Sequence, residues 1–301
     1  MKSRRAWCGT SCSSVFGWMN INWKGNQMWK QEDEEKWERR QQRSKAAEDH
    51  TKEMREKYEE QITFSCMGTK MYGPEPACVK GEKREKKNTR ILVEDVDSVG
   101  AIMKYGSTGK TAALSFASYK TPCDGFMQGW WGQEISLCHQ SFLYNVLYAS
   151  NFFHYYIWNK QNRNRGMYLN RALYLPEVWF FRDGVHRKCD VISCAAPNLS
   201  AVQEYRPVSK EENTEILRSR IAFILDIARE NEVDHLILGA YGCSFGQKAE
   251  EVAEIFKGCI QERADSFDAI IFAIPDRENG NYRKFVEVFE SKREYGSYTA
   301  G

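Results

Sequence analysis

From residue 90 onward the chain alternates short apolar runs with helical patterns, and this alternation limits the fold more than any other feature. The strand-like runs fall at residues 90–93, 111–117, 177–181, 191–196, 235–238 and 269–274. Between them, Ile216, Leu217, Ile221, Ile224, Leu225 and Ala228 recur at three- and four-residue spacing, the mark of an amphipathic helix. Ser209-Lys-Glu-Glu212 fits a capping box and sets its start near residue 210. A further helix is expected over 250–263. Such alternation predicts an α/β fold with a largely parallel or mixed sheet, and ligands then bind in the loops beyond the strand ends.

The rest of the chain reads as additions to that core. Residues 1–30 carry Trp7, Trp18, Trp23 and Trp29 among Ser, Gly and Asn with no period, and are expected to form an irregular N-terminal extension. Residues 31–61 are dense in Glu, Lys and Arg with sparse apolar points at Trp37, Ala47, Met54 and Tyr58, a pattern expected of a solvated charged helix. A polar connection with Gly73-Pro-Glu-Pro76 leads into the α/β core, residues 90–290. The aromatic stretch 142–158 is expected to pack one helix into the core. Residues 291–301 read as a flexible tail.

Composition excludes several function classes. A formal charge of +2, from 43 basic and 41 acidic residues, leaves no global footprint for nucleic acid or anionic membrane. No run approaches the roughly 18 apolar residues of a membrane helix, and a soluble, cytoplasmic protein is the expectation. The ten cysteines include Cys138, Cys194, Cys243 and Cys259 inside apolar, helical or loop patterns, where buried free thiols explain them. No Cys-x-x-Cys pair occurs and the five histidines are scattered, so no metal centre is expected and no cofactor is called for. Cys138 and His139 are adjacent but about 100° apart on a helix, too divergent for a nucleophile and its base.

Two glycine-rich segments invite a phosphate. Gly106-Ser-Thr-Gly-Lys-Thr111 lacks the first glycine of a phosphate loop, with Lys104 in its place, and precedes a strand instead of following one. It is read as a turn. Gly239-Ala-Tyr-Gly-Cys-Ser-Phe-Gly246 has the right context, between the apolar Leu236-Ile-Leu and a helix from about Lys248. Its amides could close on a phosphate at a helix start, or the glycines could serve the turn alone. Ala195-Ala-Pro-Asn198 is a turn signal after a buried run.

The remaining element is Thr121-Pro-Cys-Asp-Gly-Phe126, followed by Gln133-Glu-Ile135. Together with Ser115-Phe-Ala-Ser118, Tyr174-Leu-Pro-Glu-Val178, Phe181-Arg-Asp183, the segment ending in Asn198, and the loop 239–247 followed by Glu250-Glu-Val-Ala253, it resembles the microbial-type poly(ADP-ribose) glycohydrolase family, a branch of the macrodomain fold. The resemblance covers roughly residues 35–290. It implies a mixed sheet sandwiched between helices, with ADP-ribose or an ADP-ribosylated protein as the partner. The ligand-binding residues it implies are Ser118, Cys123, Asp124, Gly125, Phe126, Gln133, Asn198, Gly239, Ala240, Gly242, Cys243, Ser244, Phe245 and Gly246. The loop 239–246 would wrap the diphosphate, with Phe245 near the distal ribose. In the family a Gln-Glu-Glu motif supplies two carboxylates, the second being the acid that protonates the leaving ribose oxygen.

This chain departs from that pattern where the ligand would lie. Ile135 stands at the catalytic glutamate's position and Glu134 at that of the first glutamate. Cys123 and Asp124 replace the first two glycines of a Gly-Gly-Gly loop, and side chains there are expected to crowd the backbone approach to the ligand. Thr121 replaces an asparagine, and the second loop is one residue shorter than the family form. The expectation is an ADP-ribose-binding macrodomain with impaired hydrolysis. The alternatives are an active glycohydrolase with Glu134 or Asp124 as its acid, or an interaction protein that has lost the pocket.

Overall fold

A computed structural model of the chain describes residues 23–74, 88–202, 207–263 and 266–290. Most of the irregular extension (residues 1–22), the connection at 75–87 and the tail 291–301 lie outside the described residues. The alternating runs become strands β2 (Arg90–Glu94), β3 (Thr111–Phe116), β4 (Ala172–Arg182), β5 (Val185–Cys194), β6 (His235–Leu238) and β7 (Ala269–Ala273), joined by a short β1 (Lys70–Tyr72) that no sequence pattern announced. They form one seven-stranded sheet in the order β1-β4-β5-β3-β6-β7-β2. From β5 to β2 neighbours run parallel, while β4 is antiparallel to both β5 and β1.

Helices cover both faces. On one side lie α7 (Lys210–Glu230), α8 (Ala249–Gln261) and α9 (Asn281–Glu290); on the other lie α3 (Ser98–Tyr105), α4 (Gln133–His139), α5 (Leu143–Leu147) and α6 (Phe153–Gln161). The two-residue strand period divides the apolar residues between these layers. In β3, Ala112 and Leu114 join the first core and Ala113 the second; in β7, Ile270 and Phe272 oppose Ile271 in the same way. Burial on both faces is why these strands read as continuous apolar runs. On α7, Ser209 Oγ accepts from the Glu212 N–H at 3.1 Å, but the Glu212 carboxylate turns to Arg165, so half of the capping box forms.

Three expectations need correction. The strands around 177–181 and 191–196 are the ends of a longer hairpin, whose Asp183-Gly184 turn takes φ of 52° and 75°, a two-residue hairpin geometry. The aromatic stretch 142–158 makes two helices, α5 and α6, because the chain turns through a single 3-10 turn at Ser150–Phe152. The charged helix α1 begins at Trp23, inside the segment expected to be irregular, runs to Lys57, and is followed by α2 (Glu59–Gly68).

Helix α1 is not a free solvated arm. Ala47 and Met54 are buried in the second core. Arg40 Nε donates to Gln128 O at 2.9 Å, Arg43 Nε to Gly129 O at 2.8 Å and Ser44 Oγ to Met127 O at 2.5 Å, so one helix face holds the 127–129 loop. The approach needs a glycine: Gly129 has φ of 68°, and a Cβ there would lie 2.1 Å from Arg40 O. Gly129→Ala should therefore undo the clasp, with at least about 1 kcal/mol lost to the left-handed backbone alone. The expected readout is a lower melting temperature and faster proteolysis within residues 34–46; an unchanged melt would argue against a docked α1.

Candidate functional site

The site begins where β3 leaves β6. Their ladder pairs only Thr111, Ala112 and Ala113 with His235, Leu236 and Ile237. On the other edge β3 continues beside β5, and the Ala117 N–H donates to Cys194 O. Strand alternation therefore aims the backbone polar groups of Leu114 and Phe116 toward the gap left by β6. The Gln133 carboxamide fills their need: its Oε1 accepts from Phe116 N at 2.9 Å, and its Nε2 donates to Leu114 O and Ser98 Oγ, both at 2.9 Å. One side chain thus stands in for a missing strand and fixes the start of α4.

The splay opens a cleft of about 790 Å³ across the ends of β3, β6, β7 and β2. Phe116 and Gln133 form one side, Ala240, Cys243 and Ser244 a second, and Ile274, Arg277 and Asn281 the far end. Asp97, which caps α3 just beyond β2, also lines it. Its carboxylate accepts from Gly100 N, capping α3, and from both terminal nitrogens of Arg182, at 2.9 and 2.7 Å. Burial pushes the Asp97 carboxyl up, but the Arg182 guanidinium and the Gly100 N–H outweigh it and hold the group below its ordinary range.

The loop after β3 lies beside the cleft. Glu134 is buried beneath it, 6% exposed, with Oε2 accepting from Ser118 N at 3.0 Å and Oε1 without a hydrogen-bond partner. Burial pushes its carboxyl up to about 8; the Ser118 N–H opposes the shift, the charge of Asp124 adds to it, and the Cys123 N–H opposes it further. Glu134 is therefore protonated at neutral pH. Ile135, one helical step away, is 4% exposed and packs in the second core with Leu137, Val99 and Ile102.

The two residues at the family's glycine positions take different settings. Cys123 keeps a glycine-like φ of 43°, which turns its side chain inward to a disulfide with Cys138 on α4. Cys138 is therefore not a free thiol. Asp124 is exposed. Gly125 has φ of 88°, and any Cβ there would meet the Trp130 side chain at 2.8 Å.

The second loop follows β6 as its glycines suggested. Gly242 and Gly246 take φ of 79° and 90°, and the buried Gln247 anchors the loop by hydrogen bonds with Asn213 at 2.9 and 3.0 Å and to Pro197 O at 3.3 Å. Asn198 caps the adjoining turn through Ala201 N at 3.1 Å. Of the residues singled out in the sequence, Gln133, Ala240, Cys243 and Ser244 line the cleft; Ser118, Asp124 and Gly125 belong to the neighbouring loop above Glu134; Asn198, Gly242 and Gly246 meet at the turn beside Gln247. Gly239 lies against the Phe116 ring, and Phe245 packs on the first core. Phe126 faces away from the cleft, fully buried between His139 and Tyr144, because it is an apolar anchor for the loop.

Sequence reasoning missed Asp97, Ser98, Trp131, Ser136, Ile274, Arg277 and Asn281. The rule that ligands gather beyond the carboxyl ends of parallel strands, applied to β2 and β7, would have reached Asp97 and Ile274. Among the described residues no cluster of His, Cys, Asp and Glu could hold a metal, and no helix is long and apolar enough to cross a membrane.

Residues 37–183 match the family model described as the microbial-type PARG catalytic domain. Among solved structures, the chain is similar to poly(ADP-ribose) glycohydrolase from Thermomonospora curvata, with 27% identity, a TM-score of 0.75, and coverage of 83% of this chain and 100% of that one. The same enzyme bound to the inhibitor ADP-HPD matches with 27% identity over the same shares and a TM-score of 0.73. Poly(ADP-ribose) glycohydrolase from Deinococcus radiodurans in complex with ADP-ribose matches with 28% identity and a TM-score of 0.70, covering 76% of this chain and 97% of that one. No curated protein matches.

Two predictions follow from the loop. Because the Glu134 carboxyl is raised from 4.5 to about 8 on folding, the folded chain keeps a proton that the unfolded chain releases. The resulting stability is full below about pH 4.5 and is lost as pH rises through about 8. Glu134→Gln does not titrate, so its melting temperature relative to wild type should climb between about pH 5 and pH 8.5; an offset independent of pH would contradict a protonated Glu134. Peptide mapping without reductant should recover Cys123 and Cys138 in one linked species that disappears on reduction, and separate alkylated peptides from untreated protein would refute the pairing.

Proposed function

We propose that this chain, a member of the microbial-type poly(ADP-ribose) glycohydrolase family, is a macrodomain that binds ADP-ribose or an ADP-ribosylated protein and hydrolyses it poorly. The observation that carries this reading is Ile135. It stands where the family pattern has its catalytic glutamate, and it is packed among apolar side chains that offer no proton and no path for one. General acid–base assistance contributes a factor of about 10² to 10⁴, so its loss leaves binding with little turnover.

Several features support retained binding. The loop at 123–125 keeps a glycine-type backbone at Cys123 and Gly125, with φ of 43° and 88°, despite the substitution. The loop at 239–246 keeps two left-handed glycines before α8. In this reading the adenosine end of the ligand occupies the cleft over β6, β7 and β2, the diphosphate lies along the two loops, and the distal ribose reaches toward Glu134. Glu134 itself, with Oε1 buried and without a partner, holds its proton beneath the loop.

That same proton motivates the second reading, in which Glu134 is the acid of a working glycohydrolase. Its burial beneath the loop, outside the residues lining the cleft, favours the first. Calorimetric titration with ADP-ribose is expected to give heat, since even a site of about 1 mM corresponds to roughly −4 kcal/mol; silence at millimolar ligand would remove the binding reading. Release of ADP-ribose from poly(ADP-ribose) should be absent or slow, by about 10²-fold or more relative to an enzyme with its general acid in place. Rapid wild-type hydrolysis abolished by Glu134→Gln would establish the second reading instead.

A further inference from the structure

We propose that Trp130, Trp131, Arg40 and Arg43 form an accessory subsite at the rim of the cleft that takes the next adenosine diphosphate unit of an ADP-ribose polymer. The inference rests on the cleft binding one ADP-ribose unit and goes beyond it, to a polymer-reading surface outside the cleft.

The two indoles are 54% and 73% exposed, an unusual disposition for adjacent tryptophans. Their exposure is built in. Trp130 lies on Gly125, where no Cβ fits, and the preceding residues 127–129 are fastened to α1 by three hydrogen bonds. Each ring carries a guanidinium: Arg40 Cζ lies 5.5 Å from the Trp130 centroid and Arg43 Cζ lies 5.1 Å from that of Trp131. Both arginines spend Nε on loop carbonyls, and neither has a carboxylate partner among the described residues. Two fixed aromatic faces and two uncompensated cations match a ligand that alternates planar bases with phosphates.

Continuity with the cleft selects the ligand. Trp131 lines the cleft as well as the surface, whereas Trp130 lies outside it. A polymer whose terminal unit fills the cleft would carry its next adenine and diphosphate over this rim. Because the rim is already rigid, little ordering cost is incurred when the base stacks.

The test compares monomeric ADP-ribose with purified short oligo(ADP-ribose) on the full chain, by calorimetry or fluorescence anisotropy. Trp130→Ala is expected to weaken oligomer binding by roughly fivefold or more, the scale of one lost stacked base, while changing monomer affinity less than about twofold, since Trp130 lies outside the cleft. Arg43→Gln should weaken oligomer binding and flatten its salt dependence. Trp130→Phe, which keeps a stacking face, should recover most of the affinity, separating a lost stack from a disturbed loop. Equal oligomer affinity in wild type and Trp130→Ala overturns the proposal whatever the monomer does, as does an equal loss for both ligands, which would place the effect in the cleft. Displacement of the oligomer by single-stranded oligoadenylate at equal concentration would overturn it in favour of nucleic acid. Failure of the monomer to bind, with oligomer binding still dependent on Trp130, would remove the cleft reading and leave the rim standing.

Discussion

The carboxamide of Gln133 is the contact on which the rest of the site depends. Parallel strands buried on both faces must satisfy every backbone group, and β3 outruns its partner β6 by several residues. Without Gln133, Leu114 O and Phe116 N would be left in the gap at a cost of about 1–3 kcal/mol each. With it, the two strands can part without penalty. The cleft exists because they part, and α4 begins where it does because the amide that bridges the gap is its first residue. A residue read in the sequence as a ligand contact is thus first a piece of substitute sheet.

From that anchor the orientation of the next two side chains follows. Successive residues on a helix diverge by about 100°, so fixing Gln133 against β3 sends Glu134 under the loop at 118–124 and Ile135 into the layer beneath. Glu134 then reaches a place where water is scarce and an N–H is offered, and its carboxyl keeps its proton. Ile135 joins the second core, and the apolar side chain suits that place.

Much of this was legible in the chain itself. The runs at β3, β6 and β7 announced themselves because burial on both faces leaves them continuously apolar, and the 239–246 loop because a strand, glycines and a helix stood in order. The hairpin β4–β5 was harder to see. Its bulge at Leu175–Val178, where Glu177 takes φ of 50° and its N–H donates to Asp190 at 2.8 Å, breaks the alternation that would have revealed a long strand. The role of α1 was hidden for a different reason: its attachment uses arginine and serine side chains bonded to loop carbonyls, and residues of those types read as solvated. The disulfide was equally hidden, since Cys123 and Cys138 are brought together only by the return of the loop onto α4.

The substitutions in the 121–135 stretch form a consistent set when placed in three dimensions. A glycine replaced by Cys123 would ordinarily lose the left-handed backbone, at a cost of about 1–2 kcal/mol. Here the bond to Cys138 ties that residue to the helix and can hold the conformation that glycine held by freedom alone. Asp124 is exposed, and Ile135 is absorbed by the core. Change therefore fell on side chains while the backbone path was kept. Of the left-handed residues at 123, 125, 129, 242 and 246, only Cys123 carries a side chain, so it alone is strained by that backbone and it alone is tethered.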